Sequence, residues 1–246
     1  MILDIHTHNF KGQADAVAAA ALAHGIDRFL FLGDVLRYGD QPTKEQIRQV
    51  NNETLADVRR YFDHCRGLCF LNPDNATEFV VEEAERCLDM PEFLGIKMEI
   101  CTNCRSTRMD PIMEILEARN AILLHHCFYK TTGNCRFESD PSDIADLARR
   151  FPRVKIVMAH LGGVGIQGVE DVADCHNVSI DSSGAQPEAG LVEYAVERIG
   201  AERVVYGSDA PCRNFGTQMA RIREADITEA QRRLIFSENA RRLLGW

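Results

Sequence analysis

Three polar side chains near the start of the chain, Asp4, His6 and His8, recur at a spacing of two. On a β-strand that spacing puts all three on one face, and Leu3, Ile5 and Thr7 on the other. Two imidazoles on one strand face can share a metal ion, and the opposite face suits burial under a helix. A His-x-His pair alone carries little weight, but the later chain supplies what it lacks. Lys97 and Glu99 lie near the end of FLGIKMEI, His125 and His126 close AILLHH, His160 closes VKIVMAH, and Asp209 follows RVVYGS. Neutral imidazoles with a carboxylate suit Zn2+ or a similar divalent ion and leave a position for water. Such an ion lowers the pKa of its water to ~7, and a carboxylate alongside can take the proton.

These residues meet only if the apolar runs that end in them are neighbours in space. Short apolar runs predict strands at 2–8, 28–33, 68–71, 93–100, 121–126, 154–160, 178–181 and 203–206. Between them, amphipathic or Ala-rich segments predict helices at 14–24, 42–62, 76–88, 111–119, 141–150, around 167–174 and 188–199, with two more at about 217–224 and 228–243. Gly25 suits the C-terminus of the first helix and Pro111 the first turn of the fourth. Near-continuous apolar strands fit a parallel sheet covered on both faces. Eight such units, about thirty residues apart, predict a (β/α)8 TIM barrel filling residues 1–246 as a single domain. The rival is an open doubly wound sheet, but no GxGxxG follows the first strand. In a barrel the strand C-termini converge on one mouth, where such folds place their active sites.

A formal charge of -9 argues against a surface for nucleic acid, and 45% hydrophobic content suffices for a core. No apolar run approaches the ~20 residues that span a bilayer. With no leader pattern at the front, the expectation is a cytoplasmic protein whose nine cysteines are reduced thiols. Cys101-x-x-Cys104 lacks a second such pair and reads as free thiols in a loop.

LDIHTH at the first strand, GIK at the fourth, LLHH at the fifth, MAHLGG at the sixth and YGSDAP at the eighth, in this order, resemble the amidohydrolase superfamily. The nearest branch is that of aminocarboxymuconate semialdehyde decarboxylase and the amidohydrolase-related metal-dependent hydrolases. The closing SENARRLLG also resembles the last helix of that branch. The resemblance implies a divalent ion, Zn2+ first, on His6, His8, His125 and Asp209, with Asp209 also the general base. His160 is implied to polarise the substrate or steady the attacking water, or to hold a second ion if there is one. Lys97 stands where some relatives carry a carboxylated lysine, and Glu99 where TatD-like nucleases use a glutamate.

Of His125 and His126, alternation on a strand lets one face the mouth, and the resemblance favours His125, leaving His126 packed or capped. Asp4 is expected to steady the barrel interior, and His24, His64 and His176 to lie away from the mouth. Loops after the strands carry candidates for substrate recognition: Asn72, Arg105, Arg108, Tyr129, Lys130, Arg136 and Asp181, with Lys97 beside them. Arg105, Arg108, Lys130 and Arg136 suggest a basic patch for a carboxylate or phosphate on a small molecule. The function expected is metal-dependent hydrolysis at an amide, lactone or similar carbon. The alternatives are non-oxidative decarboxylation, a TatD-like nuclease or phosphoesterase, and a metal-binding protein without catalysis. The expected partner is a small molecule, with no nucleic acid and no membrane; assembly into homo-oligomers stays open.

Overall fold

In the computed structural model, which describes residues 1–186 and 188–246, eight parallel strands form one sheet in the order β1 to β8. They are β1 Leu3–His8, β2 Arg28–Leu32, β3 Cys65–Phe70, β4 Phe93–Met98, β5 Ile122–His125, β6 Lys155–Met158, β7 Val178–Asp181 and β8 Val204–Val205. Sequential order with every pair parallel requires a crossover on each connection, and helices supply most of it. These are α1 Ala14–Ala23, α2 Lys44–Arg60, α3 Thr77–Leu88, α4 Asp110–Arg119, α5 Pro141–Arg150, α6 Leu161–Asp171, α7 Leu191–Ile199 and α8 Phe215–Arg223. The fold is a (β/α)8 TIM barrel, as the run of apolar segments predicts.

Local chemistry sets several helix ends. Thr43 and Gln46 close a capping box at the start of α2, and Asp140 and Asp143 close another before Pro141 in α5. Asn120 ends α4 in the left-handed conformation, at φ 51°. Both faces of the sheet are covered: Phe29, Leu30, Phe31 and Leu32 on β2 are all fully buried, so this strand carries no polar alternation.

The barrel closes through the ends of β1 and β8 rather than through a full ladder. Ile5 N–H donates to Tyr206 O at 3.1 Å, Asp209 N–H to His6 O at 2.7 Å, and His8 N–H to Ala210 O at 2.6 Å. Strand β8 is short because Tyr206 N–H turns to Ile235 O, 2.9 Å away in the C-terminal segment. Asp4 reinforces the seam: its Oδ1 accepts from the backbone N–H of both His6 and Ser208 at 3.0 Å. Burial pushes the Asp4 carboxyl up to about 7 against those hydrogen bonds.

Three elements differ from expectation. Strand β3 begins at Cys65, three residues before its apolar core, because Arg66 and Gly67 pair with β2 regardless of hydropathy. Helix α6 begins at Leu161, directly after His160, with Gly162 and Gly165 non-helical inside it. The final helix is interrupted by a π turn at Leu234–Glu238, between Glu229–Arg233 and Asn239–Leu244. Asn239 anchors that region by donating to Ala201 O and Val204 O, at 2.7 and 2.8 Å. Among the described residues, no helix is long and apolar enough to cross a membrane.

Candidate metal centre

Parallel strands end on the same side of the barrel, so residues far apart in sequence gather there. His8 Nε2 lies 3.2 Å from Asp209 Oδ1, and His6 Nε2 lies 3.7 Å from the same oxygen. One ligand atom from each of His6, His8 and Asp209 falls within 4.8 Å of the others. All three residues are buried. Asp209 reaches the mouth from a left-handed backbone, φ 58°, that the seam bond to His6 O holds in place. Burial alone would raise its carboxyl, but a hydrogen bond from His8 and the charges of His6, His8 and Lys97 bring it below the ordinary range.

His6 is tied from behind. Its Nδ1 lies 2.8 Å from Asp181 Oδ2, which leaves Nε2 facing the mouth, buried and without a hydrogen-bond partner. His160 stands beside it, ring centroids 4.9 Å apart, also on a left-handed backbone at φ 72°. Its Nδ1 meets Ser183 Oγ at 2.8 Å and its Nε2 meets His126 Nδ1 at 3.3 Å. Burial, then the charges of His6 and His126, push His160 well below the usual histidine range, so the ring is neutral.

The opposite wall is built from β4 and the loop after β5. Lys97 is fully buried, with its Nζ 2.9 Å from Glu99 Oε1. Burial alone would raise Glu99, but the charges of Lys97, His126 and His8 hold it at about 2. His125 Nδ1 donates to His126 O at 2.6 Å, and its Nε2 is buried without a partner. Burial brings His125 down to about 4, and Lys97 and His126 add to that. The four expected ligands therefore divide. His6, His8 and Asp209 form one tight group, while His125 points a bare nitrogen from the Lys97 side.

His126 also reaches the mouth. Strict alternation does not govern it, because β5 ends at His125. Its Nε2 lies 2.9 Å from Glu138 Oε1, and its Nδ1 lies 3.4 Å from Glu99 Oε2. Phe128 packs on His126 and His160, and Phe10 stacks on His8. Glu138 and Phe128 are site neighbours that the sequence reading missed, since a long polar loop gives no periodic signal for where its side chains turn.

The loop cations do not converge. Arg105 is paired with Asp143 and donates to Ser142 Oγ at 3.0 Å. Arg108 lies 3.5 Å from Asp74 Oδ1, and Arg136 lies over the ring of its neighbour Phe137. Lys130 comes nearest the centre, 2.6 Å from Glu138 Oε2. Arg213, absent from the sequence reading, is closer still. Its Nε lies 3.9 Å from Asp209 Oδ2, buried and without a hydrogen-bond partner. Asp181, expected on a recognition loop, is fully buried behind His6. Cys101 and Cys104 are buried free thiols, both pushed up to about 12 by burial.

The bare nitrogen of His6, with His8 and the Asp209 carboxylate, fits a divalent ion by the chemistry of the donor set. The family model described as Amidohydrolase matches residues 4–246. No curated protein matches the sequence significantly. Solved structures with the same fold include the 2,6-dihydroxybenzoate decarboxylase of Rhizobium, 16% identical with a TM-score of 0.80 over 99% of this chain and 98% of that one. The dihydroxybenzoic acid decarboxylase of Polaromonas, with bound manganese and the inhibitor 2-nitroresorcinol, is 16% identical with a TM-score of 0.75 over 99% and 96%. A candidate 2-pyrone-4,6-dicarboxylic acid hydrolase of Pseudomonas putida is 18% identical with a TM-score of 0.68 over 99% and 97%.

Proposed function

The chain belongs to the amidohydrolase family, and from that premise we propose that it is a metal-dependent hydrolase of a small anionic molecule. The observation that carries this reading is the convergence of His6, His8 and Asp209 within 4.8 Å, with His6 Nε2 left unpartnered. His6, His8, His125 and Asp209 would hold the ion, one ion sufficing, with Zn2+ or Mn2+ the fitting metals. When bound, the ion supplies positive charge that polarises a substrate oxygen and lowers the pKa of nearby water.

The remaining roles fall to this chain's own groups. Asp209 accepts a proton from the attacking water and returns it to the leaving group, for which its carboxylate at the mouth, beside His8, is placed. His160 accepts a hydrogen bond from that water through its neutral ring. Arg213 and Lys97 supply the positive charge that receives a substrate carboxylate, and Phe10 and Phe128 give it apolar walls. Lys130, spent on Glu138, shapes that pocket from outside, and Arg105 and Arg136 stay on the rim.

A second reading, non-oxidative decarboxylation of an aromatic acid, is supported by the shared fold of the two dihydroxybenzoate decarboxylases. Turnover of lactones, amides and hydroxybenzoates by protein loaded with Zn2+ or Mn2+ separates the two, with carbon dioxide release marking the second. The metal reading fails if His6→Ala retains the wild-type metal content after dialysis.

A further inference from the structure

We propose that Asp181, at the end of β7, is a positioning residue that sets the tautomers of both His6 and His160, so that each turns an unprotonated Nε2 to the mouth. Its value to the enzyme rests on the metal-dependent reading above, while its geometry stands apart from it.

Asp181 is fully buried and receives four hydrogen bonds. Oδ2 takes His6 Nδ1 at 2.8 Å. Oδ1 takes the backbone N–H of Ser183 at 2.9 Å, that of His160 at 3.1 Å, and the Ser183 hydroxyl. A carboxylate with four donors is ionised and has no proton to offer, so the proton between it and His6 belongs to Nδ1. With that proton on Nδ1, the imidazole form of His6 carries its lone pair on Nε2, the atom that faces Asp209.

The same accounting extends to His160. The Ser183 hydroxyl hydrogen points at Asp181, so Ser183 Oγ can only accept from His160 Nδ1, 2.8 Å away. His160 therefore carries its proton on Nδ1, and its unprotonated Nε2 can accept from His126 Nδ1, 3.3 Å away. One carboxylate on β7 thus orders an imidazole from β1 directly and one from the turn after β6 through a serine. It also holds the left-handed backbone of His160 by the bond to that residue's N–H, a conformation that non-glycine residues rarely adopt.

Packing leaves the pair little freedom. A Cβ on Gly207 would lie 2.9 Å from His6 Cβ and 3.1 Å from Asp181 Cγ, so glycine at this position lets the seam press His6 against Asp181. Carboxylates behind metal-binding histidines fix ring orientation and tautomer and raise ligand basicity. Here the two histidines share one.

The test is 15N NMR of the histidine side chains in the metal-free protein near neutral pH, paired with Mn2+ affinity by competition against a chelator. The expected result is that His6 and His160 are both Nδ1–H tautomers. Asp181→Asn turns an amide N–H toward His6 Nδ1. His6 should switch to the Nε2–H form, and Mn2+ affinity should fall ~10–100-fold with circular dichroism unchanged. Ser183→Ala frees His160 Nδ1 and removes one of the four donors to Asp181 but leaves the bond to His6: the His160 tautomer signal should change while Mn2+ affinity falls less than with Asp181→Asn. An Nε2–H signal from either histidine in the wild type overturns the assignment. So does Asp181→Asn that keeps both the His6 tautomer and the Mn2+ affinity. If Asp181→Asn does not fold, the wild-type spectrum and Ser183→Ala decide alone. A wild type that takes up no Mn2+ ends the metal reading and leaves the tautomers to the spectrum.

Discussion

On the β8–β1 wall of the mouth, His6 and His8 face Asp209, and His6 Nε2 has no hydrogen-bond partner. On the β4–β5 wall, Lys97 pairs with Glu99, His126 lies between Glu99 and Glu138, and Lys130 closes on Glu138. Both walls mix histidine with carboxylate, yet the second already carries two ammonium groups, those of Lys97 and Lys130. A buried nitrogen without a partner suits a positive ion, and His125 Nε2 on the second wall offers one as well as His6 Nε2 on the first. The first wall gathers three of the proposed metal donors, and the second adds His125 beside the charge pattern set by Lys97 and Glu99.

The contrast can be broken most sharply by exchanging one residue on each wall. Asp209→Asn should lower turnover by ~10²–10⁴-fold while leaving the melting temperature close to wild type, because a proton acceptor is lost and the fold is not. Lys97→Met should do the reverse in emphasis. It leaves Glu99 buried opposite no lysine and should cost about 3–5 kcal/mol in stability, read by chemical denaturation. Equal stability losses from the two would erase the distinction between the walls.

A pH series gives a smaller effect. Burial would raise Glu138, but hydrogen bonds from His126 and Lys130 hold it at about 2. A carboxyl depressed on folding stabilises fully above its ordinary pKa, and that contribution disappears as pH falls from about 4.5 toward 2. Glu138→Gln should therefore flatten part of the acid limb of a stability profile and leave the region above pH 6 parallel to wild type. The smallest effect belongs to the rim. Arg105 is 54% exposed in its pair with Asp143, so Arg105→Ala should change stability by less than about 1 kcal/mol and leave KM unmoved. A raised KM there would return Arg105 to the substrate.

Periodicity explains how much could be read without coordinates. The alternation of Leu3-Asp4-Ile5-His6-Thr7-His8 is a property of one strand, and so is an apolar run ending in His160 or leading to Asp209. A loop has no such period. Arg105, Lys130 and Arg136 look alike as a basic cluster, but Asp143, Glu138 and Phe137 receive them separately. His126 escaped alternation because the strand stopped one residue earlier.

By itself, then, the sequence determined the strand and helix units, the barrel they close into, and which strand ends carry imidazole or carboxylate, because each depends on hydrophobic spacing along a few residues. Only the tertiary structure decided that Asp181 would stand behind His6, that Glu138 would meet His126, and that His160 and Asp209 would take left-handed backbones. The physical reason is separation. His6 and Asp181 are 175 residues apart, and a hydrogen bond over that distance exists only once β1 and β8 have closed the barrel.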